Sequence, residues 1–282
     1  MKSINNYKLY KAEPNTIDPD ARVYFKTFYF DTNNVFKNRL VRVYIPSTYD
    51  FSNPNKRFPV LYMLDGKNLF DDYTSFVGEW GIDETIESFI NDKKSDGVIV
   101  VGIDAPNNDL DRSMEMTPPG IRHVKGYFTN EDGYADVLAK FIFNVVKPDI
   151  DKTFFTLPDK ENTGVGGSSM GGLMSFYLGC LYPNKIKYCL NFSSAFFLFD
   201  EKEFEKKILK KYISKKLPRM YFYVGGVGFE AEFVEPVKWV YEYMLSHGYS
   251  SSDIKLLIDE SKEHNEKAWR EYFPIALLDI NN

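Results

Sequence analysis

The sequence predicts an α/β protein whose central sheet is mostly parallel and has helices on both faces. Two observations predict this fold class. Residues 58–64 are almost continuously apolar and are followed by Asp65-Gly66, as expected of a strand that is covered on both faces. From there to nearly the end of the chain, strand patterns alternate with helix patterns. Such an alternation is typical of a three-layer α/β sandwich.

The first predicted elements are two aromatic and β-branched runs at residues 21–31 and 39–45, with Asn33-Asn34 between them. They are predicted to form an antiparallel pair at an edge of the sheet. The later strands are predicted at residues 97–103, 162–167, 186–192, 220–224 and 254–258. Helices are predicted at residues 83–91, 134–146, 172–181, 201–216 and 233–246, with a last helix running through Trp269.

Composition predicts a single domain over residues 1–282. The chain is 44% hydrophobic and 17% aromatic, enough for one large core, and no segment resembles an interdomain linker. A net charge of −5 and a pI near 5.4 argue against nucleic acid as a partner. The Lys-rich run at 201–216 carries apolar residues at helical spacing, so it is predicted to be a solvated helix face.

The chain is expected to be soluble and cytoplasmic, with no membrane partner. Residues 1–7 lack the apolar segment of a signal peptide, and no stretch approaches about 18 consecutive apolar residues. Cys180 and Cys189 are the two cysteines. They fall in a predicted helix and a predicted buried strand, so reduced core thiols are expected rather than a disulfide or a catalytic cysteine.

A candidate nucleophile lies where a predicted strand runs into a helix. Gly167-Ser168-Ser169-Met170-Gly171 fits G-x-S-x-G, the nucleophile elbow of α/β-hydrolases. A serine on so sharp a turn leaves no room for a Cβ two residues before or after it, so Ser169 is the candidate. On these five residues alone, a glycine-rich turn whose serines cap the helix fits equally well. A phosphate-binding loop is not favoured, because no lysine follows the glycines.

The candidate base follows from elimination among three histidines. In α/β-hydrolases the chain order is serine, acid, histidine. His123 precedes the serine, and His247 stands before Gly248 at the end of a predicted helix, where it would cap the C-terminus. His264 lies in a loop after the last predicted strand and is therefore the predicted base.

The acid that orients the base should lie between Ser169 and His264, just past the strand that ends at Val224. Two glutamates stand there. Glu230 is the first choice and Glu232 the alternative. Both could also be solvated glutamates at the start of a helix, where acidic side chains are favoured.

An oxyanion hole requires two backbone N–H donors. Met170, directly after the nucleophile, is predicted to supply one. The second is expected from Gly66 or Lys67, in the loop after the strand at 58–64. A plain Asp65-Gly66 turn is as consistent with those residues.

Four segments resemble a known family. They are P-V-L-Y-M-L-D-G-K-N-L-F (59–70), G-E-W-G-I-D-E (78–84), G-G-S-S-M-G-G (166–172) and H-N-E-K-A-W-R (264–270). In combination they resemble the putative-esterase family of the α/β-hydrolases, which includes siderophore (enterochelin-type) esterases, feruloyl and acetyl-xylan esterases and S-formylglutathione hydrolase. The resemblance implies an α/β-hydrolase fold, a carboxylic ester as substrate, Ser169 as nucleophile and His264 as base.

The resemblance leaves the acid open. The segment after Val224 is longer than the Gly-Thr-x-Glu pattern of the family. The resemblance to siderophore esterases also allows a site that works with a Ser-His pair and no acid. The segment 105–129 resembles the region that shapes the substrate pocket, and a plain surface loop is the alternative. Its polar and proline residues are Arg112, Glu115, Thr117, Pro118, Pro119, Arg122 and His123.

These observations predict a serine esterase that works through an acyl-enzyme on a small-molecule ester, without a cofactor or a metal. A thioesterase using the same residues is one alternative. A catalytically silent α/β-hydrolase fold used as a binding module is another. The aromatic residues Phe70, Trp80, Phe128 and Trp269 are expected in the core rather than in an aryl-binding site. The natural ester and the oligomeric state do not follow from the sequence.

Overall fold

The structure is a computed structural model that describes residues 3–4, 6–9, 22–29, 38–124, 133–213 and 216–281. The chain divides into two compact units. The first comprises Met1–Ala105, Lys140–Gly164 and Asn265–Ile275, and the second Pro106–Ala139, Val165–His264 and Ala276–Asn282. A single domain over residues 1–282 therefore stays a prediction.

The first unit carries a mixed sheet with the strand order β1-β2-β3-β4-β6-β5. Its strands are β1 (Ser3–Ile4), β2 (Tyr7–Leu9), β3 (Val23–Tyr29), β4 (Asn38–Tyr44), β5 (Val60–Leu64) and β6 (Ile99–Ile103). The strands β5 and β6 run parallel to each other, and the remaining pairs are antiparallel. Every residue of β5 and β6 is buried, which explains their continuously apolar sequence.

The predicted antiparallel pair at the start of the chain exists as β3 and β4, but its placement at a sheet edge was wrong. On one side β3 pairs with β2, and on the other β4 pairs with β6. The strands β1 and β2 have two and three residues, too few to show an alternating pattern. Asn33 and Asn34 lie outside the described residues.

The helix predicted at residues 83–91 is present in the first unit as α1 (Ile82–Asn91). The predicted helix at 134–146 is longer than expected. It begins as α3 (Ala135–Phe141), passes through a π-type turn at Ile142–Val146 and continues as α4 (Lys147–Thr153). Pro148 lacks an N–H to donate, and the π-type turn directly before it lets the helix continue past this proline.

The second unit carries most of β7 (Thr163–Ser168) together with β8 (Tyr188–Phe192), β9 (Arg219–Gly225) and β10 (Ile254–Asp259). Their order is β7-β8-β9-β10. The strands β8, β9 and β10 are parallel, so their carboxyl ends share one edge, where ligand sites form in sheets of this kind.

The second unit contains α5 (Met170–Leu181), α6 (Glu201–Phe204), α7 (Lys210–Tyr212) and α8 (Ala231–Ser246), in the predicted order. It also contains α2 (Asp109–Met116), a helix that was not predicted. A π-type turn joins α6 to α7. The Lys-rich run buries Phe204, Ile208, Leu209 and Tyr212, so its prediction as a helix with one solvated face is confirmed for the described part. The last helix, α9 (Glu266–Asn281), extends well past Trp269.

Most of the singled-out aromatic residues belong to the core. Phe70, Trp80 and Trp269 are buried, and the rings of Trp80 and Trp269 pack with centroids 5.6 Å apart, as predicted. Phe128 lies outside the described residues. Cys180 and Cys189 are both buried thiols, and burial raises the pKa of the Cys189 thiol well above its ordinary value. In the described parts of the chain, no helix has the length and apolarity to cross a bilayer.

Candidate active site

Ser169 forms the turn between β7 and α5. Its backbone has φ 58° and ψ −120°, a conformation that non-glycine residues avoid and that persists only where the surroundings impose it. The surroundings do so through hydrogen bonds. The N–H of Ser169 donates to the carbonyl of Phe192 at 3.0 Å, and its carbonyl accepts from the N–H of Ala195 at 3.1 Å. Ser169 is half-buried, whereas the neighbouring Ser168 is buried.

The glycines around Ser169 permit a close backbone approach. A Cβ on Gly167 would lie 2.7 Å from the carbonyl carbon of Gly171, so a side chain there would force the turn open. Met170 is the first residue of α5, and an N–H in that position has no acceptor within the helix. This N–H is therefore suited to be the oxyanion donor predicted for Met170.

Glu230 ends a short 3₁₀ turn just before α8, and its side chain is fully buried. Its Oε1 accepts hydrogen bonds from the backbone N–H of Gly225, at 2.8 Å, and from the hydroxyl of Ser193. Its Oε2 is hydrogen-bonded to Nδ1 of His264. Three donors thus surround one buried carboxylate, which suits an ionised group.

His264 follows β10 and keeps a partly exposed side chain, with 16% of its surface accessible. Because a carboxylate accepts at Nδ1, the neutral ring carries its proton there, and Nε2 is the nitrogen that can accept a proton. The ring packs against Phe233, with centroids 4.5 Å apart, and against Phe229 at 5.4 Å. Phe229 is 49% exposed.

The loop that leads to His264 is tied to the end of β9. The N–H groups of Gly226 and Val227 both donate to the carbonyl of Lys262 at 2.9 Å. A Cβ on Gly225 would lie 2.4 Å from that same carbonyl oxygen. A glycine at this position is therefore required for the two loops to meet.

Glu230 and Glu232 occupy different positions relative to His264. Glu230 is bonded to the ring, whereas Glu232 is half-buried in the first turn of α8. An acidic side chain in a first turn is favoured by the helix dipole alone. The geometry therefore supports Glu230 as the orienting acid.

The contacts of the other two histidines are those of structural residues. His247 is exposed at the C-terminus of α8, where Nδ1 donates to the carbonyl of Tyr243 at 2.8 Å. His123 is buried, and its Nε2 lies 2.8 Å from the hydroxyl of Thr117. That hydroxyl donates to the carbonyl of Ser113, so it accepts from Nε2–H. Burial lowers the pKa of His123.

The segment 105–129 is not a plain surface loop. It contains α2, whose first turn is capped by the side chain of Asn108, which accepts from the N–H of Asp111 at 2.8 Å. Glu115, Thr117, Pro118 and His123 are buried, Arg112 is half-buried, and Pro119 and Arg122 are exposed. Residues 125–129 lie outside the described part. A role of this segment in shaping a substrate pocket stays a prediction.

Gly66 and Lys67 lie in the first unit, in a 3₁₀ turn (Gly66–Asn68) that follows Asp65. Asp65 has a left-handed backbone with φ 56°. A Cβ on Gly66 would lie 2.6 Å from the carbonyl carbon of Gly102, so packing against β6 already accounts for this glycine. The role of Gly66 or Lys67 as a second oxyanion donor stays a prediction.

One group in the first unit could bind a metal ion. Carboxylate oxygens of Glu79, Asp83 and Glu84 lie within 4.8 Å of one another. Arg270 already offsets part of their charge, with N–O distances of 3.4 Å to Glu79 and 3.5 Å to Glu84. Burial, reinforced by the charge of Glu84, raises the pKa of both Glu79 and Asp83. The site therefore favours bound protons at neutral pH, and the expected absence of a metal stays a prediction.

Sequence reasoning missed one residue of this site, Ser193. It follows β8 directly and is fully buried. A polar residue just past the carboxyl end of a buried strand is a signal that could have identified it.

The chain is similar to known proteins over most of its length. The chain matches the family described as putative esterase over residues 33–279. The uncharacterized protein YbbA of Bacillus subtilis is 23% identical over 249 residues, which cover 85% of this chain and 91% of that protein. The siderophore hydrolase EstA from Aspergillus nidulans has a TM-score of 0.73 at 16% identity, covering 98% of this chain and 100% of the other.

A third similar protein is the BES protein from Bacillus cereus. Its structure has a TM-score of 0.69 at 17% identity and covers 96% of this chain and 98% of its own. At such identities the likeness shows the fold. The predicted α/β-hydrolase fold, with a mostly parallel sheet, is therefore confirmed.

Proposed function

Because the chain belongs to the putative-esterase family, we propose that it hydrolyses a carboxylic ester through an acyl-enzyme formed on Ser169. Ester hydrolysis in general follows from the family. The nucleophile and its partners are the proposal, with His264 as base and Glu230 as orienting acid. The observation that carries it is the hydrogen bond from His264 Nδ1 to the buried carboxylate of Glu230.

The role of this bond is to prepare the imidazole as a base. It holds the proton on Nδ1, so that Nε2 accepts the proton of the attacking hydroxyl. As the imidazolium forms, its positive charge meets a carboxylate already fixed by Gly225 N–H and the Ser193 hydroxyl. The stabilisation therefore grows as the transition state is approached.

The first half of the reaction would proceed at Ser169. Its Oγ attacks the ester carbonyl while His264 takes the hydroxyl proton, and the N–H of Met170 stabilises the oxyanion that develops. The carbon–oxygen bond to the alcohol then breaks, and His264 gives its proton to the departing oxygen. The strained backbone of Ser169 supports this role, since an elbow presents the nucleophile clear of the sheet.

The second half would restore the enzyme. Water attacks the acyl carbon and transfers its proton to His264, and the tetrahedral intermediate releases the carboxylic acid as the serine regains its proton. These steps use side chains and backbone donors of this chain. Thioesters would react by the same steps.

The test uses a fluorophosphonate probe and a chromogenic aryl ester on the purified protein. The wild type should be labelled once, at Ser169, and should turn over the ester. Ser169→Ala should lose both properties, and the matched variant Ser168→Ala should retain most of the activity. Equal loss in two folded variants would reject Ser169 as nucleophile. A wild type that is neither labelled nor active would favour a binding module.

The same purified protein can be tested for a preference between esters and thioesters. A panel of short acyl, feruloyl, sugar-acetate and siderophore esters is compared with matched thioesters through kcat/KM, which measures discrimination between substrates. Feruloyl and siderophore esters belong in it because similar structures include a ferulic acid esterase and a siderophore hydrolase. A consistent preference for thioesters would overturn the ester proposal.

A further inference from the structure

We propose that Ser193 is a positioning residue of the hydrolytic site, whose hydroxyl fixes the carboxylate of Glu230 in the orientation that His264 needs. This inference rests on the proposed function. Its evidence is a single continuous set of contacts within the second unit.

The hydroxyl of Ser193 donates to Oε1 of Glu230, while the other oxygen, Oε2, is bonded to Nδ1 of His264. The remaining donor to Oε1 is the backbone N–H of Gly225 at 2.8 Å. Ser193 and Glu230 are both fully buried, so water cannot readily replace the hydroxyl. Apart from His264 itself, the side-chain donor to this carboxylate is therefore Ser193, which can be replaced by mutation.

The backbone of Ser193 is fixed in an unusual conformation. Its φ is 44°, a left-handed value that costs free energy in any residue other than glycine. Its N–H donates to the carbonyl of Tyr223 at 2.6 Å, which anchors it to β9. This conformation is imposed by the surroundings, as at Ser169.

The same short segment also holds the nucleophile. The carbonyl of Phe192 accepts from the N–H of Ser169, and the N–H of Ala195 donates to the carbonyl of Ser169. Phe192 and Ala195 therefore hold the backbone of the nucleophile through their main chain, and Ser193 between them holds the carboxylate of the acid. A shift of this segment would alter both groups together.

Removing the hydroxyl should weaken catalysis without weakening substrate binding. The carboxylate would keep Gly225 N–H on Oε1 but lose the donor that limits its rotation. A hydrogen bond to a charged group is strong enough that its loss should lower kcat by about ten- to a hundredfold. KM should stay within about twofold, because the interaction matters most as charge develops on His264.

The pH dependence should change as well. With one donor fewer, the negative charge on Glu230 is less dispersed, so the Glu230–His264 pair takes up a proton more easily. The acidic limb of the profile of kcat against pH should then move to higher pH. A residue that served folding alone would leave this limb in place.

Ser194 offers a matched control. It is the next residue, it is also fully buried, and within the described residues its Oγ has no hydrogen-bond partner. Ser194→Ala removes the same atom from the same segment without touching Glu230. It should leave kcat within about twofold of the wild type, since no hydrogen bond is lost.

The experiment compares Ser193→Ala, Ser193→Gly and Ser194→Ala with the wild type in kcat, KM and pH profile. Glycine accepts the left-handed backbone, so Ser193→Gly removes the hydroxyl while relieving strain. Both Ser193 variants should lose kcat and shift the acidic limb. Normal kcat in Ser193→Gly, with a loss in Ser193→Ala alone, would assign the effect to the backbone and overturn the proposal.

A proton NMR measurement tests the geometry independently of turnover. The proton between His264 Nδ1 and Glu230 should give a far-downfield resonance, absent in Glu230→Gln, displaced in both Ser193 variants and unchanged in Ser194→Ala. Unchanged resonances and rates in folded Ser193 variants would overturn the positioning role while leaving Ser169 as nucleophile. An active Ser169→Ala variant would instead overturn the proposed function.

Discussion

Nδ1 of His264 is hydrogen-bonded to Oε2 of Glu230, a residue 34 positions earlier in the chain. This contact joins the loops that follow β9 and β10, two adjacent parallel strands whose carboxyl ends lie at the same edge. The carboxylate is fully buried and the imidazole is partly exposed. The contact therefore fixes Nδ1 of the imidazole against a buried group, while part of the ring remains accessible to solvent.

The first prediction concerns this carboxylate. Glu230→Gln should lose at least about a hundredfold in kcat with little change in KM, because an amide neither fixes the imidazole tautomer nor stabilises the imidazolium. The measurement is steady-state turnover of an aryl ester, with circular dichroism to confirm folding. Glu232→Gln is the control and should keep kcat nearly intact, since it alters an acidic side chain in the first turn of α8.

Two results would contradict this assignment. A loss in Glu232→Gln with normal rates in Glu230→Gln would transfer the role to Glu232. Near-normal kcat in both variants and in the double variant would mean that Ser169 and His264 work as a pair without an acid.

The second prediction separates the histidines. His264→Ala should remove measurable ester turnover, because His264 is the group proposed to take the proton of the attacking hydroxyl. His247→Ala removes an imidazole that caps α8 at an exposed position, so it should keep kcat and lower the free energy of unfolding by about 0.5 to 1 kcal/mol. Turnover of the aryl ester and urea unfolding measure the two effects. An inactive His247→Ala would refute the choice of base.

Much of the site could be predicted because its chemistry restricts the residues. The turn at Ser169 requires glycines on both sides, and a chain with three histidines leaves few choices for a base. The first constraint is a short sequence motif, and the second follows from the number of histidines in the sequence. The choice between Glu230 and Glu232 was harder, because a 3₁₀ turn of three residues decides which side chain reaches His264.

Features that depend on tertiary contacts were harder to predict from the sequence. A serine after a buried strand has no pattern of its own, so the role of Ser193 emerges only when Glu230 is seen beside it. The strands β1 and β2 are too short for periodicity. The helix predicted to end at Val146 continues to Thr153, through a π-type turn that has no sequence pattern of its own.

The third prediction concerns the acidic group in the first unit. Burial, with the charge of Glu84 as the next cause, raises the pKa of Glu79 to about 8 and that of Asp83 to about 9. In the unfolded chain both would titrate near pH 4. Between about pH 4 and 9 these two groups therefore bind more protons in the folded state than in the unfolded state, so their contribution to the free energy of unfolding should fall as pH rises through this window.

Asp83→Asn tests that expectation. Removing the titrating group should reduce the decline in thermal stability between pH 5.5 and pH 8.5 and should stabilise the protein at the alkaline end. Asp92→Asn, at the exposed C-terminal end of α1, is the control and should keep the wild-type slope. Thermal unfolding at several pH values measures both, and an unchanged slope in Asp83→Asn would contradict the prediction.

The last prediction concerns the junction between the loops that carry Glu230 and His264. Gly225→Ala would place a Cβ 2.4 Å from the carbonyl oxygen of Lys262, a backbone atom that cannot swing aside. The loop before His264 must then shift, and the N–H of Gly225 must move from Glu230. A displacement of about 1 Å near the reacting groups can cost on the order of a hundredfold in rate, so kcat should fall by about that factor.

Gly228→Ala is the matched control for this change. Gly228 lies on the same loop with φ +63°, and a Cβ there would meet nothing within 4 Å. The substitution should cost about 1 to 2 kcal/mol in stability because of the left-handed backbone, yet leave kcat nearly unchanged. Steady-state turnover and urea unfolding of both variants separate the two effects. If both lose kcat equally, the loss follows from strain in the loop, and the close approach of Gly225 to Lys262 is not what positions His264.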